Sequence, residues 1–127
     1  MNLRRSLIAE RYNQVFLQYP HLVDVPYVPR EATSNWHLYY LLVKHQKRDR
    51  FIDLVKERGV MANVHYSPLH RNEFYRSSSM THGELKGSVE FYEKLARLPM
   101  HSGLSDDDVN QVISSAKEAL ERINQEI

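Results

Sequence analysis

The chain has no cysteine among its 127 residues, which excludes disulfides and thiolate metal sites. Glycine is scarce. The four glycines stand singly at 59, 83, 87 and 103, so neither a Gly-rich phosphate loop nor a Gly-x-Ser-x-Gly elbow can be built from them. Charge of one sign is lacking too: 17 basic residues face 16 acidic ones, for a net charge of +1. That leaves no electrostatic footprint for nucleic acid or an anionic membrane. The one dense basic run, Lys44 to Arg50, is broken by Asp49 and reads as a solvated loop and helix start. No apolar stretch approaches the roughly 20 residues of a membrane span. Arg4 and Arg5 are followed by no apolar h-region, so the start does not read as a signal peptide. These absences together fit a reducing cytoplasm.

What is present describes one domain over 1–127, with a lead-in helix over 1–20 and a sheet-and-helix body over 21–127. Leu3, Leu7, Ile8, Tyr12, Val15, Phe16 and Tyr19 form a helical stripe that Pro20 ends. No capping sequence precedes this helix, which suggests a chain opened inside something longer. Pro26, Pro29, Thr33 and Ser34 mark extended segments and a loop, with a short strand expected over Val25 to Val28. His37 to Val43 is dense in aromatic and aliphatic residues and predicts a strand buried on both faces, or nearly so. Asp49 to Arg58 predicts a helix burying Phe51, Ile52 and Val55, with Gly59 as its C-terminal stop. Val60 to Tyr66 alternates as a second strand. Residues 67 to 83 read as the longest irregular stretch. A helix over Glu84 to Ala96 and an extended piece over Arg97 to Met100 follow. Ser105 then caps a last helix. Asp106, Asp107 and Asp108 fill its first turn, where the helix dipole favours negative charge, so they read as capping and not as a calcium site. Val109, Val112, Ile113, Ala116, Leu120 and Ile123 make its apolar stripe. The fold class is therefore α+β, with a small, mostly antiparallel sheet of three to four strands covered by helices.

Polar and aromatic residues gather at Ser34 to Tyr40 and at His65 to Tyr75. Seven histidines are present, yet none pairs at helical His-x-x-x-His spacing, and His65 and His70 are separated by Pro68; no metal is expected. Histidine titrates near neutral pH, so His65 or His70 is open to acid–base work. The plainer reading makes His65 a hydrogen-bonded, partly buried residue and His70 a surface one. Tyr39 and Tyr40 read as core and interface packing.

Four segments in order carry a resemblance: His37-Leu38-Tyr39-Tyr40, then Arg50-Phe51-Ile52 leading to Glu57-Arg58-Gly59-Val60, then His65-Tyr66-Ser67-Pro68-Leu69-His70, then Leu98-Pro99-Met100-His101-Ser102-Gly103-Leu104-Ser105. With the opening Arg11-Tyr12-Asn13, they resemble the C-terminal third of the DegT/DnrJ/StrS aminotransferases. The resemblance implies the small domain of an aspartate-aminotransferase-like fold. It further implies amino transfer to a keto group of a nucleotide-linked sugar, on routes to polysaccharides or antibiotic sugars. The family's cofactor is pyridoxal phosphate, an electron sink held by a Schiff-base lysine, an aspartate and a stacked ring. Those groups belong to a large domain that comes first. None of the lysines at 44, 47, 56, 86, 94 and 117 lies in a segment like the family's lysine loop, so no cofactor is expected on this chain and no catalytic residue is assigned.

By the same resemblance, His65, Tyr66 and His70 would face the nucleotide-sugar, with Asn35 and Tyr75 on the same rim. The implied partners are the N-terminal large domain and a second copy in a homodimer. An apolar face of several hundred Å² is then expected on the first helix. Gly83 to Gly87 departs from the family where a proline is expected, and Ala96-Arg97-Leu98 stands where the family tends to read Leu-Ser-Leu. The alternatives are a stand-alone binding or interaction module that keeps this fold, or a small independent enzyme using His65 and His70.

Overall fold

The computed structural model describes residues 2–78 and 83–127. Its sheet has three strands in the order β1-β2-β3, all antiparallel: β1 (Val23–Asp24), β2 (Tyr39–Val43) and β3 (Leu95–Leu98). Five α-helices accompany it: α1 (Asn2–Phe16), α2 (Arg48–Glu57), α3 (Glu73–Ser77), α4 (Lys86–Lys94) and α5 (Asp106–Gln125). A single 3-10 turn covers Leu69–Arg71. The arrangement is the expected α+β, and no described helix is long and apolar enough to cross a membrane.

The core lies between one sheet face and α1, α2 and α5. Register places Tyr39 opposite Leu98 and Leu41 opposite Ala96, and all four are buried. Ile8, Tyr12 and Phe16 from α1 meet them, as do Phe51, Leu54 and Val55 from α2. The rings of Tyr12 and Tyr39 meet edge-on at 4.9 Å. Each buried phenol finds an acceptor, as burial requires: Tyr12 donates to the Pro99 carbonyl at 3.0 Å and Tyr39 to Asn13 Oδ1 at 2.8 Å. Burial pushes both hydroxyls well above the usual phenol range.

The last helix forms as its sequence dictates. Val109, Val112, Ala116, Ala119, Leu120 and Ile123 are all buried. Each of the larger ones contributes about 1.5–3 kcal/mol through apolar area removed from water. Ser105 Oγ accepts from the Asp108 N–H at 3.1 Å, while Asp108 Oδ2 accepts from the Ser105 N–H at 2.8 Å, a closed capping box. At the far end Glu126 accepts from Arg50 at 3.1 Å and from Lys47 at 3.2 Å, tying α5 to the start of α2.

Several elements differ from the sequence reading. The first strand is Val23–Asp24 and not Val25 to Val28, because Pro26 and Pro29 supply no N–H for a ladder. β2 is buried fully on one face only. Tyr40 and Leu42 are half-buried, since α4 covers the second face incompletely, with Phe91 edge-on to Tyr40 at 5.5 Å. Val60 to Tyr66 is no strand. Val60 and Ala62 are buried, but a single bridge between Asn63 and Arg97 is its whole pairing, and Tyr66 is 82% exposed. The stretch after 66 is partly helical, with the 3-10 turn and α3; residues 79–82 of it lie outside the described residues. α1 stops at Phe16, before Pro20, and the chain turns through 17–22.

Between Leu69 and Lys94 no described side chain is buried. Besides the Phe91–Tyr40 contact, the described residues of this excursion are held by polar contacts. Arg48 donates to the carbonyls of Tyr92 at 3.0 Å and Leu95 at 3.3 Å. The guanidinium groups of Arg48 and Arg71 both lie over the Tyr92 ring, at 5.3 and 5.7 Å from its centre.

Candidate functional site

The chain turns at Gly59, whose φ of +76° suits a residue without Cβ, and returns along the open edge of β3. Asn63 and Arg97 exchange both backbone bonds there, 3.1 Å from the Asn63 N–H to the Arg97 carbonyl and 2.8 Å in the reverse direction. This bridge brings residues 61–65 beside residues 97–101. Between them lies a cleft of ≈ 370 Å³, whose polar lining is Asn63, His65, Arg97 and His101, with Met61 and the Leu98-Pro99-Met100 segment as its apolar part.

Of the five residues expected at a substrate rim, only His65 lines this cleft. It is half-buried, its ring meets Tyr66 edge-on at 4.9 Å, and its Nδ1 is buried without a hydrogen-bond partner. The expected hydrogen bond to His65 is therefore absent among the described residues. Tyr66 stands out into solvent, and His70 is half-buried in the 3-10 turn. Tyr75 is half-buried against Phe74 at 5.3 Å. Asn35 is exposed, and its Oδ1 accepts from the His37 N–H at 3.0 Å, so its side chain shapes its own loop.

Asn63, Arg97 and His101 were not singled out by the sequence reading. Arg97 sits on the sheet face opposite the core, directly across from Tyr40. Its one signal was that it replaces the small residue the family resemblance leads one to expect. His101 is exposed beside Gly103, where a Cβ would come within 3.3 Å of the imidazole Nδ1.

A second cleft of ≈ 550 Å³ lies between α1 and the start of α5. Its arginines are already matched. Arg4 and Arg11 reach Asp106 at 2.9 and 3.4 Å, and Arg11 also donates to Asn110 at 2.6 Å. Its unpaired polar side chains are Glu10 and Gln14, so among the described residues it offers a ligand no free cation. Among the described residues no cluster of His, Asp or Glu is placed to hold a metal ion.

The chain matches the family model of the DegT/DnrJ/EryC1/StrS aminotransferases over residues 1–117. It belongs to that family. It is 32% identical to the spore coat polysaccharide biosynthesis protein SpsC of Bacillus subtilis, a match covering 93% of this chain and 32% of SpsC. It is 28% identical to the UDP-4-amino-4,6-dideoxy-N-acetyl-beta-L-altrosamine transaminase of Helicobacter pylori, over 93% of this chain and 32% of that protein. Among solved structures, the aminotransferase TlmJ from Streptoalloteichus hindustanus superposes with a TM-score of 0.83 at 32% identity, covering 95% of this chain and 32% of TlmJ. The chain thus spans about a third of the length of these relatives.

The family depends on pyridoxal phosphate. The residues of this chain do not fit that group, which needs a lysine amine in a pocket. No lysine lines the His65 cleft. Lys44 pairs with Asp24 at 2.7 Å, Lys47 with Glu126 at 3.2 Å and Lys86 with Glu84 at 3.0 Å. Lys56 is exposed on α2 and Lys117 is half-buried on α5; Lys94 is exposed at a cleft whose lining includes Asp49, Glu90 and Glu93, carboxylates that oppose a cofactor phosphate.

Proposed function

We propose that this chain is the C-terminal small domain of a nucleotide-sugar aminotransferase, supplying the substrate-side rim and not the cofactor site. The observation that carries the reading is one of coverage: relatives match nearly all of this chain, while the chain matches about a third of them. The lack of a suitably placed lysine supports it from the chemistry. On this reading the cofactor and its lysine come from a large domain that precedes this one. Leu3 at 74% and Leu7 at 46% exposure give α1 an apolar edge suited to packing against that domain. A homodimer and a cytoplasmic setting belong to the same reading.

The work of this chain is then binding and orientation. An imidazole donates to a sugar hydroxyl or a phosphate oxygen, and a tyrosine offers a stacking face with a hydroxyl at its tip. His65, Tyr66 and His70 supply these groups, with Asn35 and Tyr75 in lesser parts. The test is a titration of the isotopically labelled chain with a UDP-linked sugar, followed by amide NMR. Saturable shifts should concentrate at His65 to His70. Shifts confined to other surfaces, or none at millimolar ligand, would remove the rim assignment.

A further inference from the structure

The cleft between residues 61–65 and 97–101 has an unusual balance of groups. Arg97, His65, His101 and Asn63 all bring N–H donors to it, and no carboxylate lines it. None of these side chains is spoken for: among the described residues Arg97 has no ion pair and no side-chain hydrogen bond, and His101 and Asn63 make no side-chain bond. His65 Nδ1 is buried without a partner. Among the described residues seven of the other ten arginines are paired with a carboxylate, and Arg5, Arg30 and Arg76 are not. Arg4 and Arg11 also line a cleft, but theirs holds the Asp106 carboxylate they pair with, whereas no carboxylate lines the cleft of Arg97. The acidic group that senses His101, Asp108, is already engaged by the hydroxyl and backbone N–H of Ser105.

We infer that the Asn63–His65–Arg97–His101 cleft is a binding site for a compact oxyanion, with Arg97 supplying its fixed charge. A guanidinium fork matches two oxygens of a carboxylate or phosphate, and the flanking imidazoles and amide supply further donors around the same centre. The backbone bridge between Asn63 and Arg97 holds the two walls in register, so the residues that carry the donors line one cleft before any ligand arrives. The oxyanion has two chemical sources: a phosphoryl group, as in a nucleotide-linked substrate, or the carboxylate of an amino acid.

The test titrates the labelled chain at low ionic strength with inorganic phosphate in one arm and L-glutamate in the other. Either ligand should give saturable shifts at Asn63, Arg97 and His101, and the tighter of the two identifies the source. Arg97→Gln, which leaves the backbone bridge in place, should weaken the tighter ligand by about tenfold or more, since a charge-assisted bidentate contact is lost. Lys56→Gln removes the same charge from an exposed helix position and should change nothing. Should Arg97→Gln fail to fold, His101→Gln serves in its place, with a smaller loss expected. An absence of saturable shifts in both arms would overturn the site. So would equal losses in the Arg97 and Lys56 variants. The result is independent of the aminotransferase reading, because that reading is scored at Tyr66 and His70 with a UDP-linked sugar and this one at Arg97 and His101 with simple anions.

Discussion

Replacing Tyr12 by Phe removes one oxygen from the middle of the molecule and leaves the ring packing against Phe16 and Tyr39 intact. The lost bond is the 3.0 Å contact to the Pro99 carbonyl. A buried acceptor left alone costs about 1–3 kcal/mol. Pro99 is half-buried, so water reaches its carbonyl in part, and the expected loss is about 1–2 kcal/mol. For a domain of this size that lowers Tm by about 4–8 °C. Urea denaturation followed by circular dichroism at neutral pH measures it. The same hydroxyl sets a pH dependence whose sign follows from burial. The folded state holds Tyr12 and Tyr39 as neutral phenols, with pKa values raised above the unfolded one. Their contribution is therefore complete below about pH 10 and is lost as pH rises beyond it. Well above that point the slope approaches about 1.4 kcal/mol per pH unit for each phenol. Tyr12→Phe should lessen the alkaline slope, and Tyr12→Phe with Tyr39→Phe should lessen it further, leaving the part due to Tyr19, whose hydroxyl is also raised by burial and by Glu121. A single variant as stable as the parent at neutral pH, or a double variant with an unchanged alkaline slope, would refute the account of this core.

Ser105→Ala should destabilise the chain by about 1 kcal/mol through loss of the helix cap, read as a shift in urea midpoint without a change in slope. The other half of the box is acid-sensitive. The Ser105 hydroxyl, and then its N–H, hold the Asp108 carboxyl below its usual range, so the advantage of the parent over Asp108→Asn should be full at neutral pH and fade as pH falls through and below that range. Gly59→Ala should cost about 1–2 kcal/mol from backbone strain alone, because the nearest atom to the new Cβ, Gln111 Nε2, is an ordinary 3.8 Å away. Gly87→Ala on α4 meets nothing and should gain up to about 1 kcal/mol, so equal effects at the two glycines would contradict the conformational argument.

The parts legible in the sequence are those fixed by local chemistry. α5 announces itself through Ser105, its acidic first turn and a continuous stripe, and every feature lies within one helix. α2 is legible for the same reason, with Gly59 ending it at a positive φ. What failed depends on partners. The alternation of Val60 and Ala62 is a true burial pattern, but a strand needs a neighbour along its length, and residues 60–66 meet β3 at Asn63 alone. α3 was invisible because it has no buried stripe to betray it, and Phe74 is 69% exposed. The site divides in the same way. His65 was found through its motif, whereas Arg97 and His101 join it only because an antiparallel bridge crosses from residue 63 to residue 97. No spacing rule spans that distance.

The thinly attached excursion from Leu69 to Lys94 has an evolutionary consequence. The folding core is closed by what comes before and after it, so this stretch is open to insertion, deletion and drift while the rest of the domain is held by packing. The described residues of the stretch stay tied to the body through Arg48, which lies over the Tyr92 ring and donates to the Tyr92 carbonyl.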